Sequence, residues 1–155
     1  MPNPEAVVKA TSRELAAAAQ NYLIKYSPNE RVLKKCFMQI NQGDVYWLQP
    51  ENARVPQAGY PHPYVIIQDD VINHSRINTV VVCALTSNRK RATEPGNILL
   101  EPGEANLFKQ SVVVVSQVDT VEKTQLVDYI GSLSKQRVEQ ILAGMRFQQV
   151  SFFAR

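Results

Sequence analysis

Cysteine is scarce in this chain: Cys36 and Cys83 are the only two among 155 residues, and no Cys-x-x-Cys or Cys/His ligand spacing links them to the two histidines. That argues against a structural zinc site, and no metal or other cofactor is expected. Cys83, inside the apolar run Val80-Val81-Val82-Cys83-Ala84-Leu85, reads as a small core residue rather than a nucleophile. Long apolar runs are also missing. No stretch approaches the roughly 18 residues a membrane helix needs, and the N-terminus has no basic segment leading into an apolar one. A reduced, cytoplasmic setting is the expectation. Charge is weakly biased: 17 Lys and Arg against 14 Asp and Glu give +3. Such a balance is compatible with an anionic partner but does not require one. An apolar fraction of 45% and a charged fraction of 20% describe an ordinary globular protein with chain enough for a real core.

What is present changes character near residue 40. Before it, Leu15, Ala18, Ala19, Tyr22, Leu23 and Tyr26 recur at helical spacing. Thr11 with Glu14 suits a capping box, and Ser27-Pro28 breaks the pattern. A second helix then carries Val32, Leu33, Cys36 and Phe37 on one side. Residues 1–40 therefore read as a helical N-terminal extension and 41–155 as a second unit. From Gly43 onward the period is that of strands, expected near 44–49, 63–68, 78–85, 97–100, 111–118 and 127–132. The proline-rich connection 50–62 and the polar segment 87–96 read as loops. Asp69-Asp70 cap a short turn or helix over 70–75, Glu101-Pro102-Gly103-Glu104 is a turn, and Ser134 caps a last helix with the face Val138, Ile141, Leu142 and Met145.

Several residues could carry chemistry. His62 stands between Pro61 and Pro63 just before a strand, so a stiff backbone presents a side chain able to take or give a proton near neutrality. Its plain alternative is a loop histidine with no task. Thr86 and Ser87 end a strand and could donate to a phosphate, or simply cap the next turn. Arg89, Lys90 and Arg91 form a basic run beside them, and Arg54 lies in the loop before His62. Such charges suit a phosphate backbone, or a solvated loop. Tyr46, Trp47, Tyr60, Tyr64 and Phe108 offer flat surfaces for stacking single-stranded bases. Strand alternation, however, sends Tyr46 and Trp47 to opposite faces, so one of them belongs to the core.

Gly43-Asp44-Val45-Tyr46-Trp47, Gln57-Ala58-Gly59, Pro63-Tyr64-Val65-Ile66-Ile67, the Thr86-Ser87 pair, Gln117 and Gly131-Ser132-Leu133 occur in an order and spacing that resembles the PemK/MazF family of toxin endoribonucleases. The resemblance spans about residues 42–146. It implies an α+β fold, an SH3-like small β-barrel with a C-terminal helix, and a homodimer. It also implies metal-independent cleavage of single-stranded RNA, leaving a cyclic phosphate and a free 5′-hydroxyl, under the control of a cognate antitoxin protein. By that resemblance Thr86 and His62 are the catalytic candidates. Arg54, Tyr64, Ser87, Arg89, Lys90, Arg91 and Gln117 are the RNA-binding ones. The chain departs from the family where His62 replaces a usual arginine, Pro56 a frequent glutamate and Asp119 a common basic residue. Val114 and Ser116 stand where some members carry an arginine and an aspartate. The alternative is therefore a catalytically weak or inactive barrel that binds RNA or protein. Apolar surface on the last helix adds to the expectation of a homodimer.

Overall fold

The computed structural model describes residues 39–48 and 62–153. The helical hairpin read in the N-terminal extension, the proline-rich loop with Arg54, and Tyr60 lie outside the described residues. The fold is α+β: six antiparallel strands in one sheet with a C-terminal helix. The strands are β1 (Asp44–Leu48), β2 (His62–Ile66), β3 (Thr79–Thr86), β4 (Ile98–Leu100), β5 (Ser111–Glu122) and β6 (Leu126–Ser132). Their order across the sheet is β4-β5-β3-β2-β1-β6. A short helix α1 (Asp70–Asn73) joins β2 to β3, and α2 (Lys135–Phe153) comes after β6.

Each element has a local cause. β3 and the first half of β5 are runs of valine, whose branched side chains pack well on a pleated surface. Asp69 caps α1, its Oδ1 accepting from the Val71 amide at 2.8 Å. Asp70 turns outward from that helix to accept from the Gln42 amide at 2.6 Å, tying the approach to β1 onto α1. Two elements run beyond their expected ends. β5 continues to Glu122 because Val118-Asp119-Thr120-Val121 keeps pairing with Cys83 back to Val80. The helix α2 runs past Met145, the last residue of its expected face, to Phe153. Within the segment read as a loop over 87–96, Arg89–Thr93 forms a 3-10 turn.

The sheet has two buried faces. On the first, Val45, Val65, Cys83, Leu85, Val113 and Val115 pack with Val138 and Ile141 of α2. This placement corrects the expected dimer surface. Val138 and Ile141 are buried in the protein's own core and are not surface for a second copy, while Leu142 and Met145 pack against it and stay half-buried. On the second face, Tyr46, Leu48, Tyr64, Ile66, Val80, Val82, Ala84 and Leu126 form a separate cluster joined by Ile40 and Val121.

One ion pair fastens α2 to the 3-10 turn Glu104–Asn106, which lies along β6. Arg137 Nε donates to Glu104 Oε1 at 2.7 Å and Nη2 to Oε2 at 2.9 Å. The Glu101 amide donates to the same carboxylate at 2.7 Å. Chiefly through Arg137, the folded Glu104 carboxyl is held below its usual range. It thus ionises more readily folded than unfolded, so its stabilisation is full above the unfolded value of ~4.3 and fades as pH falls through the lower folded one. Glu104→Gln is expected to cost about 1 kcal/mol at pH 7, a Tm drop of roughly 2–4 °C. Melts repeated at pH 3 should show the gap between variant and parent closing. A gap of equal size at both pH values would mean that the charge contributes nothing.

Candidate active site

The site is built by the pairing of β2 with β3. Tyr64 lies opposite Ala84, Val65 opposite Cys83 and Ile66 opposite Val82. The pairing ends at Tyr64 and Ala84; His62 and Thr86 each lie two residues beyond it, on the side of the sheet that carries those two residues, since side chains two apart share a face. His62 also pairs with Leu48 of β1, and Thr86 with Val112 of β5. Both side chains are half-buried. The ends of two paired strands thus bring a histidine and a hydroxyl to one side of the sheet, although the two are 24 residues apart in sequence.

Thr86 is oriented by the turn into which its strand leads. Its Oγ1 accepts from the Asn88 amide at 3.2 Å, while Asn88 Oδ1 accepts from the Lys90 amide at 3.2 Å. With a lone pair so engaged, the Thr86 O–H is left to donate outward, which is what a phosphate oxygen requires. Asn88 is therefore a positioning residue absent from the sequence-based candidates; its signal is an Asx turn directly after a strand-end hydroxyl. Ser87 is exposed and its hydroxyl has no bond to the described residues.

The basic run divides. Arg91 is committed: Nε and Nη2 donate to Glu94 at 2.9 and 3.0 Å. That guanidinium is the main cause holding Glu94 below the usual carboxylate range. Arg89 and Lys90 are exposed and remain the open cations of this turn. Gln117 is exposed and lies in the break of the β3–β5 register, where pairing jumps from Cys83↔Val118 to Leu85↔Val113. It therefore stands near the level of Ala84, one step from Thr86.

The aromatic candidates fare unevenly. Tyr64 is 8% exposed, so it offers no open face for a base to stack on. Burial first, and then the Asp119 carboxylate, raise its hydroxyl above the usual tyrosine value. Asp119 pairs with Val82 and so projects to the face that carries Tyr64. Tyr46 is core, with its ring 5.6 Å from that of Tyr129 in an edge-to-face contact. Trp47 is half-buried and Phe108 is 45% exposed at the far turn. Cys83 is fully buried, donates its thiol to Val114 O at 3.0 Å, and is pushed up to about 12 by burial, as an inert core residue should be. His74 is likewise structural: its Nε2 reaches Ile40 O at 3.1 Å and Asn41 Oδ1 at 3.0 Å. Among the described residues no group of three or more His, Cys, Asp or Glu could hold a metal ion.

Comparison with known proteins agrees with this architecture. The family described as PemK-like, MazF-like toxin of type II toxin-antitoxin system matches residues 41–148. Endoribonuclease MazF2 of Mycobacterium bovis is 32% identical over 109 residues, which are 70% of this chain and 96% of that protein. A crystal structure of MazF from Deinococcus radiodurans superposes with a TM-score of 0.59 at 13% identity, covering 72% of this chain and 97% of that one. A mycobacterial endoribonuclease solved in complex with its cognate antitoxin gives 0.57 at 21% identity, over 70% and 92%. The last two speak for the fold, and the first two carry the family. With a match spanning all six strands and most of α2, the chain belongs to the PemK-like, MazF-like toxins of type II toxin–antitoxin systems.

Proposed function

We propose that the His62–Thr86 edge is the catalytic centre of a metal-independent endoribonuclease acting on single-stranded RNA. Membership makes the chain a MazF-type toxin endoribonuclease; the site and the steps are our reading. The observation that supports it is the pairing of β2 with β3, which puts His62 and Thr86 on one side of the sheet just past the last paired residues. In this scheme the His62 imidazole accepts the proton of a ribose 2′-hydroxyl. The 2′-oxygen bonds to phosphorus, the bond from phosphorus to the 5′-oxygen breaks, and the leaving oxygen takes a proton from water. Thr86 and Ser87 donate to the non-bridging oxygens as charge grows there. Arg89 and Lys90, together with Arg54, are assigned to the flanking phosphates. Arg91 is left out of that role by Glu94.

The same reading takes the sheet as an SH3-like barrel, the working form as a homodimer in the cytoplasm, and the regulator as a cognate antitoxin. A second reading, an RNA-binding module without turnover, draws on the imidazole where the family usually has a guanidinium, since a histidine is a weaker clamp on phosphate charge. Incubating the purified protein with long RNA in EDTA and mapping the ends decides between them. Cyclic phosphate and 5′-hydroxyl ends, reduced at least tenfold by Thr86→Val, are the expected result. Retained RNA with no new ends would establish the binding module instead.

A further inference from the structure

The second face of the sheet is buried without a cover among the described residues. Ile66, Val80 and Val82 are 0% exposed, and Tyr46, Leu48, Tyr64 and Leu126 are nearly as buried. The helix α2 does not supply the cover, since it packs on the opposite face with the cluster of Val138 and Ile141. Among the described residues outside the strands, only Ile40 packs into this cluster. The Tyr46 hydroxyl is buried there with no hydrogen-bond partner among the described residues, so the face holds a polar group as well as an apolar sheet.

We propose that this face is the docking site of the chain's own N-terminal segment, residues 1–38. Four observations select that occupant. The described chain begins at Gln39 and its next residue, Ile40, is already packed into the cluster. His74 pins this entry, bonding Ile40 O, Asn41 Oδ1 and Gln39 Nε2, so residues 39–41 are held at the edge of this face. The segment carries the apolar stripe Leu15, Ala18, Ala19, Tyr22, Leu23 and Tyr26, which needs cover of its own. The dimensions also agree. A helix over 12–26 would be ~22 Å long, and the cluster crosses five strands from Val121 on β5 to Leu126 on β6, about 19 Å at the usual strand spacing. The stretch 49–61 is a poorer occupant, because Pro50, Pro56, Gly59 and Pro61 break it up and leave no amphipathic stripe. The family match begins only at residue 41, so the cover is an addition to the toxin unit. It also shares its face with His62, Tyr64 and Thr86 and borders the candidate site.

The test uses the full chain. Leu23→Glu places a charge in the stripe, and Asn21→Glu places the same charge on the far side of the same helix. Leu23→Glu is expected to lower Tm by at least 5 °C and to raise binding of a hydrophobic dye severalfold, while Asn21→Glu leaves both near the parent values. A second measurement guards against global unfolding: hydrogen exchange at low temperature should show Val80–Val82 and Tyr64–Ile66 losing protection in Leu23→Glu before Val113–Val115 does. If the two variants behave alike, the segment does not dock and the proposal is wrong. If dilution of the parent into monomers is what raises dye binding, a second copy covers the face and the proposal is equally wrong.

Discussion

His62→Ala should lower RNA cleavage by about 10²-fold or more while leaving the melting temperature within about 2 °C of the parent. The magnitude is what removal of a positioned proton acceptor typically costs. The small stability effect comes from the position: His62 is the first residue of β2, only half-buried, and outside both core clusters. The companion variant His62→Arg separates two contributions. A guanidinium restores a permanent positive charge but cannot accept a proton at neutral pH. Recovery of cleavage in His62→Arg would mean that this corner works by charge, and that the base is another group. Loss in both variants, with RNA still bound, is the outcome that assigns proton transfer to the imidazole. Cleavage by His62→Ala at the parental rate would remove His62 from the mechanism altogether.

The second large effect concerns a residue with no side chain. Gly144→Ala is expected to destabilise the fold by about 2 kcal/mol, or roughly 4–8 °C in Tm. Helix propensity argues the other way, since alanine in an isolated helix is favoured over glycine by about 1 kcal/mol. Packing decides. Gly144 is buried, and a methyl group there would be driven into the backbone of Gly96, closest to its carbonyl oxygen. Gly96 itself has φ +85° and could not carry a Cβ without meeting Gly144 O at 2.9 Å and Val115 Cγ2 at 3.1 Å. The helix thus rests backbone to backbone on the turn that leads into β4. One helical turn further on, Gln148 Nε2 donates to Pro95 O at 3.2 Å and holds the same contact. Neither partner can retreat cheaply, because Asn97 Oδ1 accepts from the Val115 amide at 3.1 Å and pins the turn to β5. A thermal melt showing Gly144→Ala equal to or above the parent would overturn the claim that this approach is tight.

Such backbone approaches explain what the sequence could and could not disclose. The strands are legible because valine-rich runs end in turn residues: β3 and β4 lie within one residue of their expected limits. The first half of β5 is legible for the same reason. Its second half is not, since Val118-Asp119-Thr120-Val121 alternates too briefly to stand out against a turn, and its pairing with β3 is a tertiary fact. The site is half legible. Strand ends bearing His62 and Thr86 can be picked out, but that they share one side of the sheet depends on a strand pairing that no local pattern encodes. Arg91 departs from its expected role for a local reason: Glu94 three residues on competes for its guanidinium. Tyr64 departs from its own because a tyrosine in a strand buried on both faces has no free side. The surplus ascribed to Val138, Ile141, Leu142 and Met145 shrinks once the sheet's first face is there to receive Val138 and Ile141.

Strand β5 divides into a half from Ser111 to Val115 that is buried throughout and a half from Ser116 to Thr120 that is exposed throughout. Substitution is therefore expected to act differently in the two halves of one continuous backbone. In the first half Val113 and Val115 pack in the cluster that α2 joins, so a bulkier or polar side chain there would disturb the core. The second half can exchange charge and shape freely while its main-chain pairing with β3 holds it in place. A toxin built this way can change charge and shape along that exposed stretch without disturbing the core that keeps it folded.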